Sequence, residues 1–223
     1  IVTVCVALAV WSRGTALAQP AAAAPQQAVI DTTAGTFVVD LDPAAAPNQV
    51  AHFIRLAQDG TYDGTVFHRM VRMGMVQGGD PLSKDPAKAA QYGTGGLNAV
   101  KAEARAAKMT RGSVAAVMVP GRPDSAGAQF FVVLADQPSL DNQYTVFGHV
   151  ADGMEALVAI SQTPVDANGV ATARVEIRKV TIRETPPEPF ISETPAQLSA
   201  YQAVLDTSAG DITIEFLTDK APE

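Results

Sequence analysis

The chain has 223 residues, 47% of them hydrophobic and 17% charged, and a formal net charge of −7. That balance can bury a sizeable core and excludes a disordered chain. The acidity gives no electrostatic reason to seek nucleic acid, which a basic face would capture, and it reads as a solubility feature.

From the N-terminus, Ile1 to Trp11 is an apolar run broken only by Thr3, and small residues follow as far as Ala16-Leu17-Ala18. This is the pattern of a secretory leader core with an A-x-A cleavage site, so residues 1–18 are assigned to a leader. The alternative is a buried N-terminal strand. The run is too short to span a bilayer as a helix. The expectation is export, to a periplasm or to the medium, with no stable membrane insertion once the leader is removed. Cys5 is the only cysteine and falls in the leader. The mature chain then has no thiol nucleophile, disulfide or thiolate metal site. Residues 19–27, rich in Ala, Pro and Gln, read as a spacer.

Residues 28–184 are patterned throughout and form the expected folded domain. Ala28–Thr32 and Thr36–Leu41 flank Ala34-Gly35, a hairpin with glycine at its turn. Val50, Phe53, Ile54 and Ala57 have helical spacing, and Gly60 follows as a stop. Short strands are expected at Thr65–Val71, Met75–Gly78, Ser113–Val119, Gln129–Leu134 and Thr145–His149. Asp152 with Glu155 reads as the N-cap pair of a second helix carrying Met154, Leu157 and Val158. Val175, Ile177, Val180 and Ile182 make a last strand, with a phase slip at Arg178-Lys179 that predicts a bulge. Many short strands and two helices favour a closed or nearly closed antiparallel barrel. Residues 185–202 read as a proline-rich linker. Residues 203–223 repeat residues 28–48, with eight of twenty-one positions identical in an ungapped alignment. This predicts the start of a second copy of the same domain; two unrelated hairpins with similar turns are the alternative. A lone hairpin is marginal in water, so the segment is expected to be poorly anchored or to pair with an open sheet edge.

Several chemistries lack their residues. His52, His68 and His149 have no partner at metal-ligand spacing. Gly93-Thr94-Gly95-Gly96 has no phosphate-loop lysine. Asp124-Ser125-Ala126-Gly127 lacks the glycine that a hydrolase elbow needs before its serine. What remains is Phe67-His68-Arg69 inside an apolar strand. Alternation puts Phe67 and Arg69 on one face and His68 on the other. An arginine among apolar residues is costly unless its charge is paired or used, so Arg69 alone fits a structural ion pair as well as a functional group. Gln77 beside glycines, and Gln129 beside Phe130 and Phe131, shift the balance toward a binding groove.

Four ordered blocks, FHRMVRMGMVQGGDP (67–81), YGTGGLNAVKAEA (92–104), RGSVAAVMVPGRPDSAGAQFFVVL (111–134) and LDNQYTVFGHVADGME (140–155), resemble the cyclophilins over nearly all of residues 28–184. The resemblance implies a mainly β fold, an eight-stranded antiparallel closed barrel capped by two α-helices, with a proline-binding groove on its outside. The implied activity is peptidyl-prolyl cis/trans isomerisation without metal or cofactor, and the implied partners are proline-containing unfolded or partly folded polypeptides. A peptide-binding chaperone or interaction module of the same fold with little turnover is the alternative. Carried over by position, Arg69 is the catalytic arginine, with Gln77 and His68 beside it. Gln77 and Gln129 hold the arginine and the substrate backbone. Phe67, Met75, Phe131, Leu140 and Tyr144 are substrate-binding residues, and Val119, Pro120 and Gly121 form the rim that pairs with the peptide. The pattern departs at Gly74, where a pocket phenylalanine is common, at Ser139 for a large residue, at Pro120 for an asparagine and at Tyr144 for a histidine. Weak cyclosporin binding is the expectation from these departures. Pro81 to Tyr92 is longer than in compact members and is expected to form an extra loop over one end of the groove.

Overall fold

A computed structural model describes residues 25–103, 107–187, 194–205, 207, 208 and 210–215; the leader lies outside them. Eight strands close into an antiparallel barrel: β1 (Gln26–Thr32), β2 (Gly35–Leu41), β3 (Val66–Val71), β4 (Met75–Gly78), β5 (Ser113–Ala116), β6 (Phe130–Val133), β7 (Val146–Asp152) and β8 (Val170–Glu184). Their order around the barrel is β1-β2-β7-β5-β6-β4-β3-β8, so no edge is left open among them. Strand β1 begins two residues before the expected domain start. Gln27 is cross-strand from Asp40 and Arg183, and its side chain bonds both, so these spacer residues belong to the barrel.

Side-chain alternation fills the interior. Ile30, Phe37, Val39, Phe67, Met70, Val76, Val114, Phe130, Val132, Phe147 and Ile177 point into one core. Helix α1 (Pro47–Gln58) adds Val50, Phe53 and Ala57, and α2 (Met154–Ser161) adds Leu157 and Ile160. Phe53 meets Tyr62, Phe130 and Phe147 with ring centroids 5.0–5.9 Å apart, close enough for aromatic pairing. The first helix has no side-chain cap of its own. Glu103, from a distant segment, accepts the Asn48 and Gln49 backbone N–H groups at 2.9 and 2.8 Å, which satisfies orphan donors and complements the helix dipole. Gly153, at φ 77°, is the N-cap of α2. Asp152, the expected cap, instead accepts a bond from the Gly153 N–H. The expected slip in the last strand is present: Asp31 faces Lys179 while Thr32 faces Ile177.

Beyond the barrel, a short helix α3 (Pro195–Leu198) precedes strands β9 (Gln202–Leu205) and β10 (Ile212–Glu215), which pair with each other as a separate two-stranded sheet. Their register, Ala203 opposite Ile214 and Leu205 opposite Ile212, equals that of Ala28 opposite Val39 and Ile30 opposite Phe37. Gln202 bonds Glu215 as Gln27 bonds Asp40. The Thr207 hydroxyl donates to the Gly210 carbonyl as Thr32 does to Gly35, and both glycines hold positive φ, a conformation that glycine adopts without the usual steric cost.

Candidate active site

The site begins with a register. Across β3, β4, β6 and β5, Arg69 faces Gln77, Gln77 faces Phe131, and Phe131 faces Ala115. These residues lie in one row, each about 4.8 Å from the next. Because Val76, Phe130, Val132 and Val114 point inward, the row points outward. A second apolar cluster forms there, with Met109, Ala115, Phe131 and Val133 buried and Met75, Val117, Leu140 and Tyr144 packed against them. Phe131 and Tyr144 meet edge-on at 5.0 Å. The result is a cleft of about 790 Å³ on the barrel wall, lined by Arg69, Met75, Gln77, Val119, Pro120, Phe131, Leu140 and Tyr144 among others.

Pairing around Arg69 is irregular: the two-residue step from Phe67 to Arg69 in β3 faces a five-residue step from Val175 to Val170 in β8. Phe67 and Met70, three apart, are both in the core while Arg69 is exposed. Simple alternation therefore fails here. Phe67 is fully buried against Phe37 and Phe130 and is a core residue, outside the cleft. The Arg69 side chain makes no hydrogen bond or ion pair among the described residues. Its guanidinium, always charged and carrying a planar fork of donors, is available to a ligand.

Gln77 does not hold Arg69 as expected. Its amide donates to Gln129 Oε1 at 3.1 Å and lies 3.4 Å from His68 Nε2. Gln129, fully buried, in turn donates to the Gly95 carbonyl at 2.7 Å. Gln129 and His68 thus stand behind the cleft wall and position Gln77. Burial holds the His68 pKa below its ordinary 6.5, against the opposing pull of the Asp80 carboxylate. The His68 Nδ1 is buried without a hydrogen-bond partner. The tautomer protonated at Nδ1 leaves Nε2 free to accept from the Gln77 amide.

The far wall comes from loops. Asp80, fully buried, accepts backbone N–H groups of Leu82, Gly93 and Gly95 at 2.8, 2.6 and 3.1 Å. A Cβ at Gly95 would strike this carboxylate, which is why glycine stands there. The segment so held brings Gly93, Thr94, Leu97 and Asn98 to the cleft. The segment from Pro81 to Tyr92 holds two 3-10 turns, Pro81–Lys84 and Pro86–Gln91. Tyr92 packs edge-on to His68; none of Pro81 to Tyr92 lines the cleft, so the segment does not cover its end as expected. Val117, Met118, Arg122 and Val71 complete the lining. Gly121, at φ 75°, lines an adjoining cleft with Arg122 and Tyr144. A Cβ on Gly74 would come within 2.9 Å of Val71 Cγ1. Val71 therefore fills the space that a side chain at 74 would take, and it supplies part of the apolar wall.

This arrangement, an outward arginine in line with an apolar pocket on a closed barrel, matches a known class. Residues 28–182 match the family described as Cyclophilin type peptidyl-prolyl cis-trans isomerase/CLD. The chain is 33% identical over 153 residues to "Peptidyl-prolyl cis-trans isomerase-like 1" of Neurospora crassa, covering 69% of this chain and 91% of that one. It is 36% identical over 167 residues to a "Probable peptidyl-prolyl cis-trans isomerase" of Brucella suis, covering 72% and 85%. A crystal structure of a Cryptosporidium parvum cyclophilin type isomerase superposes with a TM-score of 0.64 at 26% identity, covering 73% of this chain and 99% of that one. A second structure of that protein, determined in the presence of the dipeptide Ala-Pro, gives 0.63 at 25% identity, covering 71% and 99%. The chain belongs to the cyclophilin-type family, and the enzyme is a peptidyl-prolyl cis-trans isomerase.

Proposed function

We propose that this enzyme turns X-Pro bonds of unfolded or partly folded exported polypeptides, with Arg69 as the catalytic residue. The observation that carries the reading is the unengaged guanidinium of Arg69, one strand row from Gln77 and two from the apolar Phe131 pocket. The Ala-Pro dipeptide used with the Cryptosporidium relative supports a proline ligand for the same pocket here.

The chemistry needs no covalent step. A peptide bond resists rotation by about 18–20 kcal/mol because the nitrogen lone pair is delocalised. At the twisted transition state the lone pair localises on the prolyl nitrogen, which becomes a better acceptor. Met75, Phe131, Leu140 and Tyr144 hold the ring while the acyl side rotates, and Arg69 donates to the nitrogen. Binding the twisted state more strongly than the planar ground states lowers the barrier. Gln77, its NH2 spent on Gln129 and His68, offers its Oε1 as an acceptor to a backbone N–H of the substrate.

A peptide exchange assay on the full chain tests this. A hydrogen bond from a charged donor contributes about 1.5–3 kcal/mol, so Arg69→Ala should lose about 10- to 100-fold in kcat/KM with an unchanged melting temperature. Arg69→Lys should fall between, because the ammonium lacks the planar fork. Wild-type turnover by Arg69→Ala would overturn the mechanism, and peptide binding without acceleration by the wild type would make the protein a binding module.

Two features beyond the barrel belong to the same proposal. The apolar run and A-x-A site of residues 1–18 support export. The shared register and matching turn bonds of β9–β10 and β1–β2 support residues 203–223 as the opening of a second repeat.

A further inference from the structure

We infer that the groove selects substrates carrying an acidic side chain near the proline, with Arg122 as the specificity-determining residue. This rests on the isomerase reading and names its substrate class.

The chain is acidic overall, with 23 carboxylate and 16 basic side chains, yet its groove has the opposite sign. The substrate cleft and the adjoining cleft share Met118, Val119, Pro120, Arg122 and Tyr144, so they form one continuous furrow. Its charged lining residues are Arg69 and Arg122, and no carboxylate lines either cleft. The acidic residues around the furrow are turned into the protein backbone. Asp80 accepts from Gly93 and Gly95, Asp124 from Ala102, Asp141 from Met109 and Asp136 from Arg111. Asp124, Asp136 and Asp141 each use one oxygen in this way, none of these carboxylates lines the furrow, and the charged side chains that do line it are guanidiniums.

Arg69 is committed to the prolyl nitrogen, which leaves Arg122 for a flanking residue. Arg122 is exposed and forms no ion pair among the described residues. One terminal nitrogen donates to Asn98 Oδ1 at 2.7 Å, which fixes the head over the wall formed by residues 93–98. The remaining donors of the fork are free for a carboxylate, the geometry that guanidinium matches best. Low-dielectric walls on either side focus its field.

The test uses acetyl-Xaa-Ala-Pro-Phe-amide with Xaa as Glu, Gln or Lys, followed by NMR exchange on the full chain at about 20 mM salt. The expected order of kcat/KM is Glu, then Gln, then Lys, with a Glu-to-Lys ratio of about tenfold, since one partly exposed charge acts with opposite sign on the two peptides. At 1 M salt, where screening length is about 3 Å, the ratio should approach one. Arg122→Glu should invert it. Arg122→Gln, which keeps a donor for Asn98, should bring it near one. A ratio near one in the wild type, or a wild-type ratio in Arg122→Glu, overturns the inference. If no peptide is turned over, the isomerase reading fails instead, and the same ratio read from chemical-shift titration still decides whether the furrow prefers acid.

Discussion

His68 is where protonation and geometry meet. Its ring is buried and its Nε2 accepts from the Gln77 amide, which spends its other hydrogen on Gln129. An imidazolium would set a donor against a donor, and the Gln77 amide would have to turn away from Gln129. Burial lowers the folded pKa below 6.5. Above 6.5 the ring is neutral in both folded and unfolded chains, and its contribution is intact. Below 6.5 the unfolded chain takes up the proton first, so stability falls with pH until the folded pKa is passed, where the loss levels off. Turnover depends on the folded ring alone and should hold to a lower pH than stability does. The expectation is a melting temperature that declines from about pH 6.5 downward while kcat/KM stays flat until further acidification, read from paired pH profiles of wild type and His68→Gln. In that variant the decline starting near 6.5 should shrink. Profiles of wild type and variant that superimpose would remove His68 from this role.

At the scale of elements, strands supply the row of side chains and loops supply the opposite wall. Asp80 is the link between them, because three backbone donors converge on it. An unsatisfied buried N–H costs roughly 1–3 kcal/mol, and these three are only part-buried, which puts each near the low end, about 1 kcal/mol. Asp80→Ala should therefore lower unfolding free energy by about 2–4 kcal/mol in urea titration and raise KM more than it lowers kcat, since residues 93–98 form the binding wall and lie away from the reacting atoms. An unchanged KM would show that the wall is held by other contacts. The same division explains what the sequence made legible. Strands β3, β4 and β6 announced themselves by apolar runs, and Arg69, Gln77, Met75, Phe131, Leu140 and Tyr144 fell in the cleft. Phe67 was misplaced because the two-residue period breaks between it and Met70, beside a stretch where two residues of β3 face five of β8, and an irregularity that lies in the partner strand leaves no mark in the apolar run itself. Thr94, Leu97, Asn98 and Arg122 were missed because their positions depend on distant partners: Asp80 for the glycine segment, Ser125, whose carbonyl accepts the Asn98 N–H, and Asn98, which holds the Arg122 head. Aspartate followed by proline at 80–81, a capping pattern, was the one signal that could have marked the anchor.

For the whole molecule, closure of the sheet separates two kinds of stability. The barrel and both helices share a single core, in which Phe53 touches three other rings. Phe53→Ala should cost about 3–5 kcal/mol and unfold strands and helices together in one transition, seen as coincident circular dichroism and fluorescence curves. Among the described residues the β9–β10 hairpin has no such core. Its inward-equivalent Leu205, Ile212 and Ile214 are 43–54% exposed, whereas Ile30, Phe37 and Val39, at the matching positions of the barrel, are at most 1% exposed. The pattern that buries one hairpin is present in the other, but the strands that would cover it are not among the described residues. Two strands alone gain too little apolar burial to offset the ordering of their backbone. Amides of 203–205 and 212–215 should then exchange with solvent at near-unfolded rates while those of β1 and β2 are protected to the level of global unfolding. Removal of residues 188–223 should leave the barrel's melting temperature unchanged. Strong protection of the second hairpin, or a barrel that melts earlier without it, would mean that the hairpin docks on the first domain and that its apolar face is already in use.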